Sequence, residues 1–139
     1  QKKGAEFGAT TGRKRRCGWL DIVLLRNAAR LNGLTGLVIT KLDVLDGLES
    51  LKICTGYEYN GETLNDFPAN LKTLEACKPV FETFPGWSED ISDIRKLENL
   101  PKNARHYLDR IEELLETSID IVSVGPGRDE TIIVNHPFT

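Results

Sequence analysis

Methionine is absent from all 139 residues, and the chain opens on Gln1 inside a polar, basic stretch. That start reads as the interior of a longer polypeptide. Cysteine is scarce: Cys17, Cys54 and Cys77 are odd in number and show neither the close pairing of a zinc site nor a redox CxxC motif. They read as reduced cytosolic thiols. The two histidines, His106 and His136, have no partner acid at recognisable spacing, so neither is expected to act as a catalytic base. No apolar run is long enough to span a bilayer and no secretory signal is visible, which makes a soluble, cytoplasmic protein the expectation.

The net charge of −3 conceals two unlike regions. In residues 1–30 eight Lys and Arg stand against Glu6 and Asp21, so that end carries +6 and the remainder −9. An acidic body repels a nucleic-acid backbone, whereas a basic end can still take a small anion. The basic charge concentrates in Gly8-Ala9-Thr10-Thr11-Gly12-Arg13-Lys14-Arg15-Arg16. A run of cations alone is ordinarily a solvated face. Here hydroxyls and glycines accompany it, and backbone N–H groups, hydroxyls and forked guanidinium groups together suit carboxylate or phosphate oxygens.

Apolar residues at helical spacing predict a helix over 20–31, ended by Asn32-Gly33. Gly36 to Thr40 reads as a short buried strand leading into Lys41-Leu42-Asp43. Asn60-Gly61 between 51–59 and 62–64 marks a hairpin, Pro79 to Phe84 another strand, and 101–117 an amphipathic helix. Ile119 to Val124 is expected as the last strand, ending at Gly125-Pro126-Gly127. Trp19 and Trp87 are expected to pack, and Glu112, Glu113 and Glu116 to lie on a solvated helix face. Helices alternating with short strands indicate an α/β fold, in which ligands bind beyond the carboxyl ends of strands.

Two loops stand at such ends. Thr40-Lys41-Leu42-Asp43 resembles the NKxD element of guanine-nucleotide-binding proteins, with Thr40 in the asparagine place. Its carboxylate can accept from the N1–H and exocyclic amine of guanine, while the lysine stem covers the base. Ser123-Val124-Gly125-Pro126 offers backbone N–H groups, a hydroxyl and a proline ring as an opposite wall. Either segment alone is ordinarily a turn.

Taken with Asn32 to Gly36, Asp46, Pro85 to Glu89, Arg110 to Leu114 and Arg128, these blocks strongly resemble adenylosuccinate synthetase over nearly the whole chain, specifically its C-terminal third. The resemblance implies a GTP-dependent ligase joining IMP and L-aspartate to form adenylosuccinate, GDP and phosphate through a phosphorylated IMP. It implies Mg²⁺, a homodimer, and a phosphate-loop-GTPase-related fold with a mainly parallel sheet, flanking helices and a small antiparallel hairpin. By the same resemblance residues 1–19 form a substrate loop and 20–139 a guanine-binding region. Ala9, Thr10, Thr11, Gly12, Arg13, Lys14 and Arg15 would receive aspartate, Arg13 reaching IMP and Arg15 GTP. Lys41, Leu42, Asp43, Ser123, Val124, Gly125 and Pro126 would frame the guanine. Ala9 stands where some relatives have threonine, at little expected cost because its backbone N–H remains. The family's Gly-Asp-Glu-Gly-Lys-Gly-Lys phosphate loop, with its catalytic acid, metal ligand and following histidine, is not in this sequence. No catalytic or metal-binding residue is therefore assigned here, and the chain alone is expected to be inactive. The alternative reading is a non-catalytic module whose basic arm meets nucleic acid or an acidic partner.

Overall fold

The structure, a computed structural model, describes residues 3–136; the outermost residues of the two expected segments, 1–2 and 137–139, lie outside the described residues. Strand β1 (Leu20–Asp21) runs directly into helix α1 (Ile22–Asn32). There follow β2 (Leu37–Ile39), β3 (Ser50–Tyr59), β4 (Glu62–Leu64), α2 (Leu71–Ala76) and β5 (Lys78–Pro85). Helix α3 (Lys102–Leu115), β6 (Ile119–Ser123) and β7 (Thr131–Ile133) complete the order, with single 3₁₀ turns at Leu42–Leu45 and Leu97–Asn99.

The α/β class is as expected, and both sheets are mixed. In one, β1 pairs parallel with β3, which also pairs antiparallel with β4 and β5. In the other, β2 lies parallel to β6, and β6 antiparallel to β7. Parallel pairing, expected to prevail, is thus confined to β1–β3 and β2–β6. The long β3 strand explains the difference: it folds back on β4 through Asn60-Gly61, both at positive φ (52° and 83°), as a two-residue primed turn requires.

Local chemistry sets the helix ends. Asp21 caps α1, its Oδ1 accepting from the Leu24 N–H at 3.0 Å, and Gly33 closes the helix in the left-handed region at φ 60°. Helix α3 buries Ala104, Tyr107, Leu108, Ile111 and Leu115 along one face. That face joins Ile22, Leu42, Leu51, Ile53, Phe84, Trp87, Val122, Val124 and Ile132 in the main core. Arg110 on its flank clamps Glu82 of β5 with bonds of 3.0–3.1 Å and also pairs with Glu113.

Four expectations need correction. Helix α1 buries Ile22 and Val23 and leaves Leu24 and Leu31 exposed, because only its first turn is wedged into the core. Strand β2 is not buried: it is an edge strand, and Val38 is 59% exposed. Trp87 packs as expected, whereas Trp19 is exposed and lies outside the core. The last strand is β7, too short to announce itself and held by its pairing with β6 and by Ile132 in the core. His106 is exposed and touches Phe84 edge-on, as befits a structural residue.

Candidate functional site

The parallel register of β2 on β6 aligns Ile39 with Val122. Both chains therefore leave the sheet at the same end, and Thr40-Lys41-Leu42-Asp43 emerges beside Ser123-Val124-Gly125-Pro126. Between them is an open cavity of about 450 Å³ lined by Thr40, Lys41, Asp43, Val44, Ser123, Gly125 and Pro126, with Lys3, Gly4 and Ala5 closing one side. Leu42 and Val124 do not line it with side chains: both are buried in the core, anchoring the loops from below.

Each wall is held in place. Lys41 adopts a left-handed backbone (φ 61°, ψ 37°), uncommon for a residue with a side chain, as it starts the 3₁₀ turn. Its ammonium is held by the Gly4 carbonyl at 2.8 Å and by the Glu6 carboxylate. The Asp43 carbonyl accepts from Lys3 Nζ at 2.5 Å, and the same ammonium reaches Asp46 Oδ2 at 3.0 Å. Asp46 in turn accepts from the Trp87 indole at 2.6 Å, tying this turn to the core. On the facing wall Ser123 Oγ donates to the Gly125 carbonyl at 2.9 Å. Glu130 braces the loop: its carbonyl accepts from the Val124 N–H at 2.9 Å and its carboxylate from the Gly127 N–H. A Cβ at Gly125 would lie 2.5 Å from that carboxylate, so a larger residue there would push the Glu130 side chain away from the loop it braces.

The basic segment forms a closed loop of its own. Phe7 bridges to Lys14, the Gly8 N–H donates to the Arg13 carbonyl at 2.8 Å, and Gly12 sits at φ 64°. Thr11 Oγ1 accepts from the Arg13 N–H at 3.3 Å, stiffening the tip. Gly8, Thr11, Arg13, Lys14, Arg15 and Arg16 surround a shallow cleft of about 320 Å³; Ala9, Thr10 and Gly12 are exposed beside it. The four cations are exposed, so their guanidinium and ammonium donors can meet carboxylate or phosphate oxygens without displacing a core contact.

Sequence reasoning overlooked Glu6, Glu130 and the 3–5 wall. Lys3 and Glu6 entered it only as charges, and no spacing rule links them to a turn some forty residues away. Glu130 carried a faint signal, the second of two acids, Asp129-Glu130, soon after Gly-Pro-Gly. Among the described residues no group of three or more His, Cys, Asp and Glu is placed to hold a metal ion, and no helix is long and apolar enough to cross a membrane.

Fold and site together define an α/β protein with a ligand-sized crevice beyond the carboxyl ends of a parallel strand pair. Comparison with known proteins narrows this. The family model for adenylosuccinate synthetase matches residues 1–132. The adenylosuccinate synthetases of Desulfatibacillum aliphaticivorans and Desulfosudis oleivorans are 70% and 65% identical over 138 residues, 99% of this chain. The solved structure of fully ligated adenylosuccinate synthetase from Plasmodium falciparum matches 95% of the chain at 42% identity with a TM-score of 0.91. The chain belongs to the adenylosuccinate synthetase family. It spans 32% of the length of each of these relatives.

Proposed function

We propose that this chain is the part of an adenylosuccinate synthetase that holds guanine and L-aspartate during GTP-dependent ligation of IMP to aspartate, a step of AMP biosynthesis. In this reading GTP phosphorylates the purine carbonyl oxygen of IMP. The aspartate amine then displaces phosphate, leaving adenylosuccinate, GDP and inorganic phosphate. The observation that carries the reading is the convergence of two segments 80 residues apart, Thr40 to Asp43 and Ser123 to Pro126, on one cavity.

The residues divide the work by their chemistry. Asp43 accepts from the N1–H and amine of guanine, Lys41 covers one face, and Ser123, Gly125 and Pro126 form the other wall. In the neighbouring loop Ala9 to Arg15 surround the aspartate carboxylates, with Arg13 shared with IMP and Arg15 with GTP. Charge-assisted bonds of this kind fix orientation as well as affinity. Mg²⁺ would neutralise phosphate charge, and its ligands are proposed to lie with the phosphate loop of the full-length enzyme, so no step is assigned to it here. The phosphate loop, the catalytic groups, the dimer partner and a cytoplasmic setting belong to the proposed full-length enzyme, and the chain alone is proposed to be inactive.

Arg13→Leu and Arg15→Leu in that full-length enzyme test the assignment. Each should raise the KM for aspartate, or for IMP in the case of Arg13, and cut turnover at least tenfold, since a charge-assisted bond is worth about 1.5–3 kcal/mol. Near-normal kinetics in both variants would refute the loop assignment.

A further inference from the structure

Residues 3–6 run from the wall of the base cavity straight into the basic loop, and Glu6 stands at the junction. Its carboxylate contacts groups on both sides: one oxygen takes the Lys41 ammonium and the other takes Arg15 Nη1 at 3.3 Å. Its backbone carbonyl also accepts from the Arg15 N–H at 3.0 Å, the first rung at the base of the loop. The next residue, Phe7, makes the bridge that closes the loop. The segment before it is tightly constrained. Ala5 is held at φ 48°, a conformation disfavoured for alanine, and Gly4 is buried with a missing Cβ position only 3.3 Å from both Val44 methyls. The Lys41 and Arg15 contacts also hold the Glu6 carboxyl below the usual carboxylate range, so it is charged at neutral pH.

We propose that Glu6 is a positioning residue that couples the base cavity to the basic loop, so that a guanine nucleotide settling against Lys41 orders Arg15 and the loop that receives aspartate. The inference rests on the functional reading above. A single carboxylate bonded to two cations cannot let one move without changing its grip on the other. Lys41 displaced toward a base pulls on Glu6, whose other oxygen and carbonyl hold Arg15 by side chain and backbone at once. Coupling of this kind is reciprocal, and aspartate bound in the loop favours nucleotide binding by the same factor.

The test uses the full-length enzyme and its Glu6→Gln variant, which preserves shape and reach but removes the charge and turns an amide N–H₂ toward one of the cations. The Kd for GDP is measured by titration with and without saturating L-aspartate, alongside KM and kcat. In the parent enzyme aspartate should tighten GDP by about fivefold or more, the lower end of ordinary coupling. In Glu6→Gln that ratio should fall to near one, with the KM for aspartate raised and kcat at saturation within about twofold. Glu6→Asp, which keeps the charge on an arm too short to span both cations, should give an intermediate ratio and serves if the amide variant does not fold. An unchanged ratio in a folded variant overturns the proposal, whether or not either ligand is weakened. A parent enzyme that binds neither GDP nor aspartate would instead overturn the functional reading on which the coupling rests.

Discussion

Replacing Asp43 by asparagine separates recognition from folding at one atom. The Asp43 backbone carbonyl holds Lys3 and the Asp46 N–H, contacts that the substitution leaves intact. Asp43 lines the cavity, and its carboxylate has no hydrogen-bond partner among the described residues. The fold should therefore be indifferent, with a melting temperature within about 2 °C of the parent, the scale of a sub-kilocalorie surface change. Guanine should not be indifferent. Asparagine replaces one acceptor by an N–H₂ donor, which then faces a donor of the base, so one charge-assisted bond is lost and two donors are opposed. A bond to a charged group is worth about 1.5–3 kcal/mol, which predicts a roughly ten- to hundredfold rise in the KM for GTP. A base with a carbonyl in place of guanine's amine would accept from the new donor, and its nucleotide should gain in relative use. Steady-state kinetics of the full-length enzyme with GTP, ITP and XTP measures all three. Unchanged nucleotide preference, with a melting temperature equal to the parent's, would refute the base-recognition role of Asp43.

Three further predictions concern the frame behind the site. The Tyr57 hydroxyl donates to Asp21 Oδ2 at 2.5 Å, while Asp21 Oδ1 caps α1, so Tyr57→Phe should cost about 1.5–3 kcal/mol in urea unfolding. Burial, then the Asp21 contact, pushes the Tyr57 hydroxyl above its ordinary value of 10, and burial pushes Tyr107 up to about 12. Folding favours the neutral phenols, so this stabilisation is complete below pH 10 and drains away as pH rises through the folded values. A denaturation midpoint independent of pH above 10 would contradict it, and Tyr57→Phe should make the decline shallower. Gly86→Ala should be more severe than its size suggests: its Cβ would overlap the Leu48 carbonyl, whose carbon is only 2.8 Å away, and overpacking costs about 1–3 kcal/mol. Parent-like stability in that variant would show that the 48–49 backbone yields.

Local patterns were legible where one segment carries its own signal. Asn60-Gly61 specified its hairpin through two residues that tolerate positive φ, and the apolar spacing of Ala104, Tyr107, Leu108, Ile111 and Leu115 specified a helix with one buried face. Where pairing decides, the reading failed. Thr131–Ile133 is a strand because β6 offers it hydrogen bonds, and β2 is an edge because its neighbours are set by topology rather than by its own apolar character. Helix α2 was likewise invisible, six residues without a periodic face, started by the Asn70 side chain accepting from the Lys72 N–H.

The sequence by itself determined which chemistry is available: a carboxylate and an ammonium after one strand, a hydroxyl and Gly-Pro after another, and guanidinium groups on a glycine-bounded loop. It also sufficed to indicate the family, because several such blocks occur in one order. Only the tertiary structure decided that the first two sets share a cavity, since that depends on the parallel register of β2 on β6 across 80 residues of intervening chain. Only it revealed that Lys3 to Glu6 close that cavity and that one carboxylate joins it to the basic loop. The physical reason is range: propensity and spacing act within a few residues, whereas a site is assembled by contacts between segments whose separation along the chain leaves no trace in either one.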